Sequence, residues 1–507
     1  TECNIQYGAG GAGTFSDGKL LTRINDGRCA YVLEELCRFG APEDILTKAK
    51  PHIGTDVLRL VVDNILKEIV RCGGVVRYRC RMDDFTEYPD GTFSVATTQG
   101  TLRAGALFLA PGNSARDTFL LLLNKGFSMQ QKPISVGVRI EHLRADIDRM
   151  CYGNAAGHPL LGAAEYALSD TTLPRGVYTF CMCPGGSVVA AASEQGGVVV
   201  NGMSERARDG VNSNAAIAVS VRCTDYAGET GHPITDAIAF VRRVERAAYR
   251  AGGNTFCAPI QTVGDFLGGT VGTAPSRVLP TYMGGFCRPC DLEDVLPAFV
   301  CNGLRDGLRS FDRKMPGFAM PEAVLTGAET RTSAPLRILR EEETLCAPGH
   351  PLVYPVGEGA GYAGGITSAA VDGNKVDGTY SAIPGGVVGE AIVGSTHTEG
   401  TPTVTLEPTP YVGSEIVINI YYVGNWNVNL YPMEEYILAE FIMAAWSEYI
   451  QNDKLDIVRL LGDTDFKLTS VSSATTSKSS WYVVNRETVT KRMTKYAWDA
   501  AIQRLYP

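Results

Sequence analysis

Residues 357 to 366 read GEGAGYAGGI, with an apolar run from Leu352 to Val356 before them and the small residues Thr367 to Ala370 after. The pattern predicts a strand that turns through glycines into the start of a helix. The first turn of a helix has backbone N–H groups with no intrahelical partner, and these can face the anionic or carbonyl groups of a cofactor. Glycine at such a place also has a plainer use, the relief of crowding at a tight strand-to-helix turn. Other parts of the chain have to separate the two readings.

The 507 residues are 45% hydrophobic and 20% charged, enough for several cores, and the length predicts two to four domains. No apolar run approaches the roughly 18 to 20 residues of a spanning helix, and the N-terminus lacks a basic segment followed by an apolar one. The expected setting is cytoplasmic, with no membrane partner. Thr1 in place of Met reads as a fragment or a processed start. A net charge of -9 and a pI near 5.4 argue against a nucleic-acid surface and point to small molecules as partners. Fourteen cysteines without an export signal read as reduced thiols, and six scattered histidines argue against a histidine-based metal site.

All cysteines lie between Cys3 and Cys346, whereas all four tryptophans lie from Trp426 onward. The change of character falls near Asp372 to Gly386, where small polar residues and glycine pairs read as a linker, and a boundary is placed at residue 376.

In the first part, residues 5 to 25 hold a glycine-dense loop followed by Ser16, Asp17, Gly18 and Lys19. Such a loop permits close backbone approach to a ligand, with Ser and Lys as phosphate donors, or is a flexible tail. Apolar spacings of three and four predict helices over Ala30 to Phe39, Thr55 to Cys72 and Ile234 to Ala251, the last with Arg242, Arg243, Glu245 and Arg246 as its wet face. Strands are predicted at Val75 to Tyr78, Arg81 to Tyr88, Phe93 to Thr98 and Leu102 to Ala110, the last ending in Pro111-Gly112-Asn113. Ser135 to Glu141 is a further strand with Arg139 and Glu141 on one face, as an ion pair at a site or as a solvated surface.

Two cysteine pairs stand out. Cys287-Arg-Pro-Cys290 has the spacing of a redox or zinc motif, but no second pair completes four ligands. Cys181-Met-Cys183 points two thiols the same way from a strand, as a redox dithiol or as packing. Arg331, in ETRTSAPLRI, reads as a carboxylate or carbonyl clamp, or as a surface partner of Glu329.

Taken together, GAGGAGTFSDGKL, LFLAPGNSARD, SVGVRIEH, FCMCPGG, NGMS with ARDG, ETRTSAPLRI and GEGAGYAGGITSAAVDG occur in this order between residues 3 and 375. In this the chain resembles the bacterial FAD-dependent dehydrogenases, NAD(P)/FAD-dependent oxidoreductases with a glutathione-reductase-like flavin fold. The resemblance implies an α/β chain: an FAD/NAD(P)-binding parallel sheet at 1–127 and 326–375, interrupted by a β-rich substrate domain at 128–325. It implies FAD as cofactor, NAD(P)H as a candidate donor, and hydride transfer between a small substrate and FAD. Carried over residue by residue, the flavin contacts are Gly10, Gly11 and Gly13 with Ser16, Asp17 and Lys19. Ala110, Pro111, Gly112 and Asn113 follow, then Gly357, Glu358, Gly359, Gly361, Tyr362, Gly364, Gly365 and Ile366. Glu358 takes the role of holding a ribityl hydroxyl. Cys183 and Arg331 are the candidates near the chemistry.

The family begins with a strand and a G-x-G-x-x-G turn that this sequence lacks ahead of its glycine loop, which makes the sheet N-terminally truncated. The alternative expectation is accordingly a non-catalytic flavoprotein remnant that binds FAD weakly or not at all, fused to an interaction or assembly module. That module, residues 376–507, is expected to be α+β and protein-binding. Strands are predicted at Thr403 to Leu406, Glu415 to Val423, Trp426 to Leu430 and Trp481 to Val484, and helices at Met433 to Ile450 and Arg486 to Leu505.

Overall fold

A ten-residue strand, Ile134–Leu143, and its antiparallel neighbour Asn212–Val221 pair along their whole length, from Asn212 opposite Leu143 to Val221 opposite Ile134. Nearly every residue of both is buried, because both faces of this pair are covered. The computed structural model describes residues 5–6, 10–226, 228 and 230–381, and the backbone of 403–408, 418–423 and 483–485. Five more strands extend the central pair into a seven-stranded sheet. Val324–Glu329, Ala258–Thr262 and Cys287–Pro289 lie on one side, and Val177–Cys183 and Ser169–Asp170 on the other. All neighbours are antiparallel except Ala258–Thr262 with Cys287–Pro289.

Alternation along the strands sorts the side chains. Val136, Val138 and Ile140 join Val177, Val219, Leu304 and Leu308 in one apolar core under helix Ala298–Lys314. Gly303 and Gly307 let that helix lie directly on the sheet: a Cβ at these positions would come within 2.7 Å of Val219 and 2.5 Å of Val177. The other face carries Arg139 and Glu141, both fully buried. They are neither solvated nor paired with each other. Arg139 pairs with Glu329 at 2.7 Å, and Glu141 accepts hydrogen bonds from Asn212 at 3.1 Å and the Thr281 hydroxyl at 2.6 Å. The hairpin Ser187–Ala190 with Val200–Met203 brings Asn201 to the same Arg139, at 2.8 Å.

Beside this sheet, Met82–Glu87, Phe93–Thr97 and Gly100–Ala104 form an antiparallel meander. The single strand expected over Leu102 to Ala110 is two strands. The chain leaves the meander at Gly105, and Leu107–Leu109 pairs instead in parallel with Val353–Pro355. Among the described residues this is a two-stranded parallel sheet, where the expectation was an FAD/NAD(P)-binding parallel sheet. Val75 to Tyr78, predicted as a strand, is irregular, and Val75 and Tyr78 are exposed with no partner strand to cover them. Helices Arg28–Arg38 and Thr55–Arg71 follow the predicted periodicity, and their buried Val32, Leu36, Leu58 and Val61 form a separate core with Val371.

A charged network joins the segments around these cores. Arg116, in helix Arg116–Asn124, donates to Glu194 at 2.6 Å and to both oxygens of Glu245, at 2.9 and 2.6 Å. The Thr330 hydroxyl reaches Glu245 at 2.8 Å, and Arg242 reaches Glu194 at 2.8 Å. Glu245, predicted on the wet face of helix Pro233–Ala251, is instead buried; Arg116 and Arg331 compensate its charge and the Thr330 hydroxyl adds a hydrogen bond.

Helix Ile366–Ser381 runs through residues read as a linker, so Asp372 and Gly373 are helical. The chain divides into Thr1–Gly394 and Ser395–Pro507. In the second unit, Thr403–Pro408 is flanked by Ile418–Val423 and Val483–Asn485, both antiparallel to it. These strands overlap three of the four expected there. Trp426 to Leu430 and the helices expected at Met433 to Ile450 and Arg486 to Leu505 lie outside the described residues.

Two outcomes follow. Gly307→Leu forces a side chain into Val177 and should destabilise by about 1–3 kcal/mol, read as a lower urea midpoint. The second concerns Glu194, whose carboxyl burial pushes up and Arg242 and Arg116 pull down further, to about 2 from the ordinary 4.5. A depressed folded value stabilises above the unfolded one, and the contribution is lost as pH falls through the folded one. The stability gap between the parent and Glu194→Gln, on the order of 2 kcal/mol at neutral pH, should narrow progressively below pH 4.5. Denaturation curves across that range measure it.

Candidate functional site

Because Leu107–Leu109 and Val353–Pro355 are parallel, both deliver their following loops to the same edge of the sheet, and Val356 N–H still bonds Leu109 O at 2.9 Å as they leave it. Carboxyl ends of parallel strands are where α/β sheets bind ligands. The two loops are residues 110–113 and 357–365, the mid-chain and late glycine motifs.

They are fitted to each other backbone to backbone. A Cβ on Gly359 would lie 2.3 Å from Gly112 O, and one on Gly361, whose φ is 89°, would lie 2.8 Å from Leu336 O. Asn113 donates to Glu358 at 3.2 Å. Lys132 Nζ and Arg337 Nε both donate to Gly361 O, at 3.0 and 3.1 Å. Arg340 lies over the Tyr362 ring, 3.7 Å from its centroid, and is bound to Asp372 at 2.5 Å. Asp372 in turn accepts from Gly357 N–H at 2.8 Å, so the helix that follows the turn also holds its first residue.

The N-terminal loop meets the same helix. Gly10 to Gly13 leads into the short helix Gly11–Thr14, and a Cβ on Gly13 would sit 3.1 Å from Ile366 Cγ1. The Thr367 hydroxyl donates to Leu20 O at 2.7 Å, and the Ser114 hydroxyl to Gln6 Oε1 at 3.2 Å. Three motifs far apart in sequence thus share one place.

Their glycines fall into two kinds. Gly13, Gly359 and Gly361 are pressed against neighbouring atoms. At Gly11, Gly112, Gly357, Gly364 and Gly365, by contrast, no atom of the described residues lies within 4 Å of a built Cβ. These five present bare backbone to open space beside the start of a sixteen-residue helix. Burial raises the Glu358 carboxyl above its ordinary value, and burial together with Arg337 lowers the Lys132 ammonium. Lys132 and Arg340 lie outside the quoted motifs, Arg337 and Asp372 lie within two of them without an assigned role, and Asp372 also stood in the stretch read as linker.

Ser16, Asp17 and Lys19 have protein partners. Ser16 donates to Gly13 O at 2.7 Å and accepts from Gly18 N–H at 3.0 Å, closing its own turn. Asp17 is fully buried and binds Lys19 at 2.5 Å, Arg208 Nε at 2.9 Å, and the Ser204 hydroxyl. Burial raises the Asp17 carboxyl, but Lys19 and Arg208 together bring it below its ordinary value. Lys19 also donates to Met182 O, which ties the glycine loop to strand Val177–Cys183.

Arg331 is buried, 2.5 Å from the Ser193 hydroxyl and 3.4 Å from Glu245. A surface pair with Glu329 is ruled out, since Glu329 is buried against Arg139. Cys183 is buried as well, while Cys181 is partly exposed.

The matched region of known sequence families lies over the large sheet. A family described as "FAD-dependent protein, C-terminal domain-like" matches residues 133–332, from the first central strand to the end of the Glu329–Thr332 segment. An uncharacterized protein of Clostridium beijerinckii (strain ATCC 51743 / NCIMB 8052) is 47% identical over 382 residues, covering 74% of this chain and 70% of the relative. No helix among the described residues is long and apolar enough to cross a membrane. With a glycine-lined edge beside a domain of this type, the chain belongs to the family of FAD-dependent proteins.

Proposed function

We propose that the chain is a flavin-dependent oxidoreductase that carries FAD along the edge formed by Gly10–Gly13, Ala110–Asn113 and Gly357–Ile366 and exchanges hydride with a small-molecule substrate. The observation that carries this reading is the set of five glycines that face open space at the carboxyl edge of a parallel pair, next to a helix start. A side chain at any of them would fill the space a flat ring or a phosphate needs. Bound there, FAD supplies a two-electron acceptor and donor.

The chain's own residues supply placement. N–H groups at Gly365 to Thr367 would face an electronegative oxygen of the cofactor, with the positive end of the helix behind them. Glu358, to which Asn113 donates at 3.2 Å, would accept from a ribityl hydroxyl. Lys132 and Arg337 hold Gly361 O, and the Asp372–Arg340 pair holds the turn on both sides. The β-rich segment, residues 128–325, supplies the wall that receives the substrate.

FAD titration of purified protein, followed by flavin fluorescence quenching, tests the reading. Saturable one-to-one binding is expected. Gly365→Val adds bulk only to open space, so its thermal melting should match the parent while FAD binding weakens roughly tenfold or more, about 1.4 kcal/mol. Parent protein that takes up no FAD would favour the non-catalytic reading, and undiminished binding by Gly365→Val would place the cofactor elsewhere.

A further inference from the structure

Strand Val177–Cys183 breaks its register against Asn212–Val221 just where its two cysteines fall. Phe180 lies opposite Ala216 and Cys183 opposite Asn214, with an irregularity between. Cys181 has φ 45°, in the left-handed region that a non-glycine residue occupies only when its surroundings enforce it. Regular strand geometry would hold residues two apart at roughly 6.6–6.8 Å, the outer limit for a disulfide. A bulge bends the strand and re-aims its side chains, which is its recurrent use beside active sites.

Three groups hold this bend. Arg139 Nη1 donates to Cys181 O at 2.8 Å, Lys19 donates to Met182 O, and Cys183 Sγ lies 3.3 Å from Cys181 O. The Arg139 guanidinium is entirely buried, fixed by Glu329 at 2.7 Å, Asn214 at 3.0 Å and Asn201 at 2.8 Å. The two thiols differ in access: Cys181 is partly exposed and Cys183 is buried.

We propose that Cys181 and Cys183 are a redox-active dithiol, Cys181 attacking and Cys183 resolving, that exchanges two electrons with low-molecular-weight disulfides. The Cys181 thiolate attacks one sulfur of an external disulfide, forming a mixed disulfide and releasing one thiolate. Cys183 then attacks the Cys181 sulfur. The second external thiolate leaves and takes the Cys183 proton. The external disulfide is reduced to two thiols, and the protein dithiol is oxidised to one disulfide. No flavin is required for this exchange, so the site stands apart from the cofactor reading.

The electrostatics agree with these roles. A hydrogen bond from the Cys183 thiol lowers the Cys181 thiol well below its ordinary value; burial opposes this, and Arg139 and Lys19 add to the lowering. The same contact and burial raise Cys183. The other charged and titratable groups around the pair are Glu329 and Asp17, each already joined to one of these cations, and the buried Tyr166. In the pair Cys287 and Cys290, whose spacing looks more like a redox motif, burial outweighs the lowering that Arg288 gives Cys290. Burial pushes Cys287 up to about 12 and Cys290 to about 11.

Full-length protein incubated with glutathione disulfide, acid-quenched, alkylated and digested should show the peptide holding Cys181 and Cys183 lighter by two hydrogens. Dithiothreitol should restore it. Cys183→Ser should accumulate a glutathione adduct at Cys181, whereas Cys181→Ser should form none at Cys183. Alkylation of Cys181 by iodoacetamide at pH 7 should exceed half its high-pH rate, against about one thirtieth for an unperturbed thiol. An unaltered peptide in the parent protein under excess glutathione disulfide overturns the proposal. So does equal adduct formation on the two serine variants, or an alkylation profile for Cys181 that matches an ordinary thiol.

Discussion

The guanidinium of Arg139 organises the large sheet from within. Its described bonds reach Glu329 and Asn214 on the two strands flanking its own, Cys181 O one strand further, and Asn201 on the hairpin that covers the face. Gly202 is part of the same arrangement, since a Cβ there would lie 2.3 Å from Arg139 Nη1. A fully buried ion pair contributes little net stability against an apolar replacement, because desolvation offsets the attraction. Its effect is on geometry. An unpaired charge at that depth costs several kcal/mol, so the strands are held in the registry that makes these four bonds, and the left-handed turn at Cys181 is part of that registry.

The glycine-lined edge is built by a different constraint, backbone proximity. Gly359 against Gly112 and Gly361 against Leu336 and Arg337 leave no room for a side chain, which brings the two loops together. Gly364 and Gly365 are exposed, and like them Gly112 and Gly357 have no described atom within 4 Å of a built Cβ. Ion pairs then fix the loops from behind: Asp372 binds both Gly357 N–H and Arg340, and Arg340 covers Tyr362. The glycine side of this edge carries few side chains and the supporting side carries many, a division suited to a ligand recognised mainly through backbone N–H groups.

Lys19 relates the two sites. It follows the N-terminal glycine loop by six residues, binds buried Asp17, and donates to Met182 O between the two cysteines. One ammonium group therefore bonds both the segment after the glycine loop and strand Val177–Cys183. Arg116, Glu194 and Glu245 provide a second connection, between the helix after the mid-chain loop and the helix Pro233–Ala251.

Local pattern in the sequence was enough to place the helices Arg28–Arg38, Thr55–Arg71 and Pro233–Ala251, the meander's first hairpin, the strand before Gly357 and the helix after it. Those features depend on periodicity and on glycine, which act over a few residues. The partners of the charges were not legible. Arg139 reads as a surface residue or a partner of Glu141 and pairs with Glu329; Glu245 reads as a wet-face residue and lies buried on Arg116; Arg331 reads as a carboxylate or carbonyl clamp or as a partner of Glu329 and lies beside Glu245. Each of these contacts joins residues more than 80 positions apart, and no local spacing encodes which distant carboxylate a guanidinium will meet. By itself the sequence determined where backbone can turn and come close. Only the tertiary structure decided which glycines press on a neighbour and which face open space, and which cysteine of the pair is left within reach of solvent, because both depend on what the rest of the chain packs against them.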